Sequence, residues 1–82
     1  MTTTQKAQEL AKKAEAQYEA LRNTLDELKY ACANGYNENK QANPTLSKKF
    51  EEAGDHVRGN VIAMAREMRS DLLRASSKIN EL

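Results

Sequence analysis

The sequence predicts an all-α fold, an antiparallel two-helix hairpin that dimerises into a four-helix bundle. Apolar residues recur at every third or fourth position from Ala7 to Leu82, and the only interruption is an Asn-rich segment with the single proline. The composition also favours helices, because 30% of the residues are charged and only 5% are aromatic. We therefore expect one helical hairpin domain over residues 1–82.

The first helix is expected from about residue 4 to residue 33. Thr3 or Thr4 is a weak N-cap candidate. Asn34-Gly35 predicts the end of the helix, because both residue types tolerate the left-handed cap conformation. The apolar positions alternate steps of four and three, which is the heptad spacing of a helix packed along one seam. They are Ala7, Ala11, Ala14, Tyr18, Leu21, Leu25, Leu28 and Cys32.

The second helix is expected over residues 44–79, after a polar loop at residues 34–43. Asn43-Pro44 has the pattern of an N-cap followed by proline at the first helical position. The main apolar stripe advances by a mean of about 3.6 residues, as in a straight α-helix. It comprises Leu46, Phe50, Ala53, Val57, Val61, Met64, Met68, Leu72, Ala75, Ile79 and Leu82.

Two glycines inside the second helix leave a three-helix alternative open. A helical glycine costs up to about 1 kcal/mol relative to alanine, and Gly54-Asp55 would suit the end of one helix and the start of another. The alternative is therefore a break near Gly54–Gly59. The apolar stripe keeps its phase through both glycines, which favours one continuous helix.

The expected dimer follows from the small size of the chain. Below about 80 residues a single core stabilises a fold weakly without a disulfide, a metal or self-association. The one cysteine excludes an internal disulfide. A hairpin also leaves apolar edges, here Leu10 beside the first seam and Ala65 and Leu73 beside the second. A homodimer of two hairpins would cover them.

Charge and hydropathy argue against nucleic acid and membranes as partners. A net charge of +1 provides no general attraction to nucleic acid or to anionic membranes. No apolar run approaches the roughly 18 residues that a membrane span requires. The first residues lack a signal-peptide pattern, and a lone thiol is typical of a reducing compartment, so we expect a cytoplasmic protein.

The residues that could carry chemistry do not form a catalytic pattern. Glu52 and His56 are four residues apart on one helical face, but a metal site would need further ligands from another element. Cys32 falls on the apolar seam, which favours a buried packing thiol over a nucleophile. We expect a protein that is not an enzyme, with no metal site and no cofactor.

A second stripe on the second helix predicts a contact surface for a partner protein. Its five members are spaced by four, four, three and four residues, so they share one helical face. This face lies largely opposite the main apolar stripe. Arginine is enriched at protein interfaces, because its stem packs while its head forms hydrogen bonds. The alternative is a solvated face with two isolated aliphatic side chains. The predicted contact residues are Arg58, Ile62, Arg66, Arg69 and Leu73.

The expected function is stoichiometric protein–protein binding, as by an adaptor, co-chaperone or inhibitor of bacterial or phage type. A nucleic-acid-binding helical dimer is the alternative use of the arginines, although the nearby Asp55, Glu67 and Asp71 would repel phosphate. In architecture alone, the hairpin is similar to the co-chaperones of type III secretion needle subunits. No sequence motif supports that likeness, so it implies no family.

Overall fold

A computed structural model describes residues 2–82 as a hairpin of two long helical rods. The first rod is helix α1 (Thr3–Asn39). The second consists of α2 (Pro44–His56), a π-helical turn (Val57–Val61) and α3 (Ile62–Asn80). No strand occurs among the described residues. The predicted all-α hairpin is thus confirmed.

Helix α1 begins earlier than predicted, with Thr2 as its N-cap. The Thr2 hydroxyl accepts a hydrogen bond from the Gln5 backbone N–H, and the Gln5 side chain accepts one from the Thr2 N–H, each at 3.1 Å. This reciprocal capping box satisfies two backbone donors that a helix start would otherwise leave unpaired.

Helix α1 also ends later than predicted, because Asn34-Gly35 does not stop it. Gly35 is helical and buried, and the ring of Phe50 lies directly against its backbone. The Ser47 hydroxyl donates a hydrogen bond of 2.8 Å to the Tyr36 carbonyl, which ties α2 to this extra turn. The predicted loop at residues 34–43 therefore shrinks to residues 40–43.

The predicted start of the second rod is confirmed. The Asn43 side chain accepts a hydrogen bond of 3.2 Å from the Leu46 N–H, and Pro44 occupies the first turn. Proline is suited to that position, because a first-turn N–H has no partner within the helix.

The second rod passes both glycines without a chain reversal, but it changes phase at the π-helical turn. The Ile62 N–H bonds to the Val57 carbonyl, five residues earlier rather than four. This adds one residue to the turn and rotates everything after it by about 100°. The predicted continuity of phase is therefore wrong.

The core lies along the contact between the two rods. Helix α1 contributes Ala11, Tyr18, Leu25 and Cys32, which are seven residues apart and lie on the predicted seam, and also Gly35. The second rod contributes Gly54 and Val57 before the phase change and Ile62 and Ala65 after it. Ala65, expected at an uncovered edge, is therefore part of the core.

Many residues predicted to be buried are exposed instead. Val61, Met64 and Met68 are exposed because the π-helical turn gives the inward positions to Ile62 and Ala65. Those of α1 belong to the second apolar position of each heptad, which lies to one side of the contact with the other rod. The exposed members of the two predicted stripes are Leu21, Leu28, Leu46, Ala53, Val61, Met64, Met68, Ala75 and Leu82.

The hairpin is only one helix thick, with extents of 60 × 19 × 12 Å. Its radius of gyration is 18.2 Å, whereas a compact domain of this length has about 12 Å. No large side chain is fully buried in the described residues. The chain is therefore an elongated single layer of helices.

Candidate binding surface

An open groove with apolar walls runs between the two rods on one side of the hairpin. It encloses about 390 Å³, and its walls are almost free of polar atoms. Met64 is 68% exposed there and Leu21 is 46% exposed, although both are large apolar side chains. We call this surface the apolar groove; its lining residues are Leu21, Leu25, Val61, Met64, Ala65 and Met68.

The sequence builds this groove from two separate features. In α1 the heptad carries two apolar positions, and only the one that includes Tyr18 and Leu25 points at the other rod. The other position, which includes Leu21, opens to the side. In α3 the phase change turns Ile62 inward and leaves Val61 on the same side as Leu21.

The apolar surface continues beyond the groove toward the N-terminal half of α1. A second depression shares Leu21 and Met68 with the groove and adds Ala14, Gln17, Tyr18 and Leu72. None of the residues that line the two depressions is charged. This side of the hairpin is therefore a continuous, uncharged surface made by both rods.

Another side of the hairpin is charged, and it carries two of the five predicted contact residues, Arg69 and Leu73. Arg69 lies 3.8 Å from Glu19 of α1 in an ion pair between the rods. Leu73 is 46% exposed and lines a small depression together with Arg69, Glu15 and Glu19. Arg69 and Leu73 are thus exposed as expected, and they lie beside the carboxylates of Glu15 and Glu19.

The five predicted contact residues do not share one exposed face. Ile62 is 6% exposed and belongs to the core with Tyr18 and Leu25. Its expected place on a free face is wrong, because the π-helical turn rotates it toward α1. Arg58 pairs with Asp55 one turn earlier on its own rod, and Arg66 is exposed.

The polar residues weighed for chemistry are dispersed. His56 contacts the side chain of Asn60 one turn later, at 3.3 Å. Among residues 2–82, no three His, Cys, Asp or Glu side chains come together in an arrangement that could hold a metal ion. Cys32 is buried, and a Cβ at Gly54 would lie 3.3 Å from its Cβ. This thiol fills the contact between α1 and α2.

Sequence reasoning assigned the groove residues to the wrong environment. The sequence predicts Val61, Met64 and Met68 in the core, and it predicts Ile62 on a free face and Ala65 at an edge, each one position after a residue that is exposed in the structure. The sequence signal for the exposed stripe is that the residues at these two neighbouring sets of positions on the second rod are all apolar. A single helix packed on one side of the second rod can cover only one of these two stripes, so the other stays exposed.

No helix within residues 2–82 combines the length and the apolarity that crossing a bilayer requires. Comparison with protein-family models, with characterised proteins and with solved structures finds no match to this chain.

Proposed function

We propose that this chain is a non-enzymatic helical protein that acts by stoichiometric protein–protein binding through its apolar groove. The observation that supports this is the continuous uncharged surface made by Leu21, Val61, Met64 and Met68. Large exposed apolar patches on soluble proteins mark interaction sites, because covering them removes apolar area from water. An adaptor, a co-chaperone or an inhibitor would act in this way.

The shape of the groove favours a helical partner. It lies between two antiparallel rods, so an apolar stripe with helical spacing fits along it. Met64 and Met68 are unbranched and flexible, and such side chains adapt to the knobs of a facing helix. Because the groove lining carries no charge, a partner that placed a charged side chain there would leave that charge desolvated and unpaired.

The charged side supports binding less well. Four of the five arginines contact a carboxylate of the same chain, in the pairs Arg22–Asp26, Arg58–Asp55, Arg69–Glu19 and Arg74–Asp71. Arginines paired in this way offer little uncompensated charge to a phosphate backbone. Protein binding is therefore the better proposal, and we place it in the cytosol, where a buried free thiol such as Cys32 persists.

A capture experiment with three immobilised proteins tests this function. Wild type, Met64→Glu and Leu73→Glu are exposed to an extract of the source cells. Both substitutions replace an exposed apolar residue of α3, but only Met64 lies in the groove. We expect wild type and Leu73→Glu to retain the same protein in stoichiometric amount and Met64→Glu to lose it.

The control variant also tests the competing surface. If Leu73→Glu loses the captured protein and Met64→Glu keeps it, binding uses the charged side with Arg69. If all three proteins retain the same set, the groove is not a binding surface.

A further inference from the structure

We propose that the occupant of the apolar groove is a second copy of this chain, in a two-fold pair whose loops lie at opposite ends. This inference rests on the proposed function, because it names the partner of the same surface. The product is a four-helix bundle in which α1 packs on α1 of the other copy and α3 packs on α3.

The exposed area of the chain points to a permanent partner. The single chain exposes 6250 Å², whereas a folded protein of 9.2 kDa exposes about 4,900 Å². The excess of about 1,300 Å² exceeds the roughly 800 Å² that each partner buries in a standard interface. A hairpin with this much excess area needs a partner whenever it is folded, and a second copy is always present.

The groove is self-complementary about Leu21. Ala14 and Leu28 lie one heptad to either side of Leu21 on the same stripe of α1. A two-fold axis that crosses α1 near Leu21 therefore sets the small Ala14 of one copy against the large Leu28 of the other. Matching small with large side chains is how facing helices fill the space between them.

The same two-fold axis also relates residues of the second rod that lie at the level of Leu21. Met64 and Met68 both line the groove together with Leu21, so the axis that passes Leu21 also passes between them. It brings Met64 of each copy next to Met68 of the other. Because the residues that line this surface are uncharged, no like charges meet among them across the axis.

The other two-fold arrangement, with both loops at one end, packs α1 on α3 of the second copy. It would set the large Leu21 and Leu28 against the large Met68 and Val61. It gives up the match between the small Ala14 and the large Leu28 that the arrangement with opposite loops provides. The arrangement with opposite loops is therefore the one the side chains favour.

Sedimentation equilibrium of the full chain tests the pairing itself. We expect the dimer mass for wild type and for Leu73→Glu at micromolar concentration. For Met64→Glu we expect the dissociation constant of the dimer to rise at least 100-fold. A monomeric wild type would overturn the second-copy proposal. If such a monomer still captured a different protein through Met64, the proposed binding function would stand alone.

A distance between loops tests the orientation. Gln41→Cys in a Cys32→Ala background carries one spin label per chain, and circular dichroism checks that this protein remains helical. Gln41 lies about 30 Å along the rod from the axis near Leu21, so opposite loops place the labels roughly 60 Å apart. A distance below about 30 Å would mean that the loops share one end and would overturn the proposed pairing.

Discussion

Val61 and Ile62 are neighbours in the chain but belong to opposite environments, with Ile62 6% exposed in the core and Val61 41% exposed in the groove. The π-helical turn decides between them. In a regular α-helix, Val61 would follow Val57 by four residues and face α1. The extra residue gives that place to Ile62 and leaves Val61, Met64 and Met68 exposed in the groove.

The first prediction removes the extra residue. Deleting Gly59 makes Ile62 follow Val57 by four residues, so the existing bond from the Ile62 N–H to the Val57 carbonyl becomes an ordinary α-helical bond. Both rods keep their buried faces. Since a helical glycine is also lost, we expect the free energy of unfolding in urea to stay equal or to rise by up to about 1 kcal/mol.

Deletion of Glu67 is the matched control. Glu67 is also exposed, but it lies after the π-helical turn, between the buried Ala65 and the half-buried Leu72. Its loss rotates the rest of α3 by about 100°, so Leu73 takes the place of Leu72 and the polar Asn80 takes that of Ile79, and we expect a destabilisation of about 1–3 kcal/mol. A Gly59 deletion as damaging as the Glu67 deletion would show that the π-helical turn is not where the phase changes.

A second prediction separates core from surface on α3. Ile62→Asp places a carboxylate in the core beside Tyr18 and Leu25, and we expect it to abolish most of the helical circular dichroism. Leu73→Asp is exposed on the charged side, and the helicity should remain near that of wild type. A folded, fully helical Ile62→Asp protein would mean that Ile62 lies on a free face after all.

The third prediction concerns the close approach of α1 and α2. A Cβ built on Gly35 would lie 2.6 Å from three ring atoms of Phe50. Gly35→Ala should therefore destabilise by about 1–3 kcal/mol despite the better helix propensity of alanine. Combining it with Phe50→Leu should recover part of the loss, and urea titration of the three variants measures both effects. A stabilised Gly35→Ala single variant would contradict this packing.

The fourth prediction uses two buried serines with opposite surroundings. The Ser47 hydroxyl is bonded to the Tyr36 carbonyl, whereas the Ser76 hydroxyl is buried with no partner among the described residues. Ser47→Ala should destabilise by about 1 kcal/mol, since it removes a hydrogen bond and leaves the carbonyl unpaired. Ser76→Ala should be neutral or stabilising. Thermal unfolding measures both changes in stability. Destabilisation of similar size by both substitutions would contradict these assignments.

The sequence was informative wherever local rules determine the structure. The buried seam of α1 and the cap at Asn43-Pro44 were predictable, because heptad spacing and capping depend on neighbouring residues. Gly35 does not end α1 as predicted, because its lack of a side chain admits the ring of Phe50 from the other rod, a contact that the local sequence does not indicate. The apolar groove was missed because a one-residue π insertion leaves no mark in composition, and Val61 and Ile62 are equally apolar.

The measurement that tests the second-copy account most directly is thermal unfolding of the unmodified chain at several concentrations. If two copies cover the apolar groove, unfolding also dissociates them, and the melting temperature depends on concentration. We expect Tm to rise by roughly 8 °C over a hundredfold increase in protein concentration. A Tm that stays constant across that range would show that the hairpin folds alone and that no second copy occupies the groove.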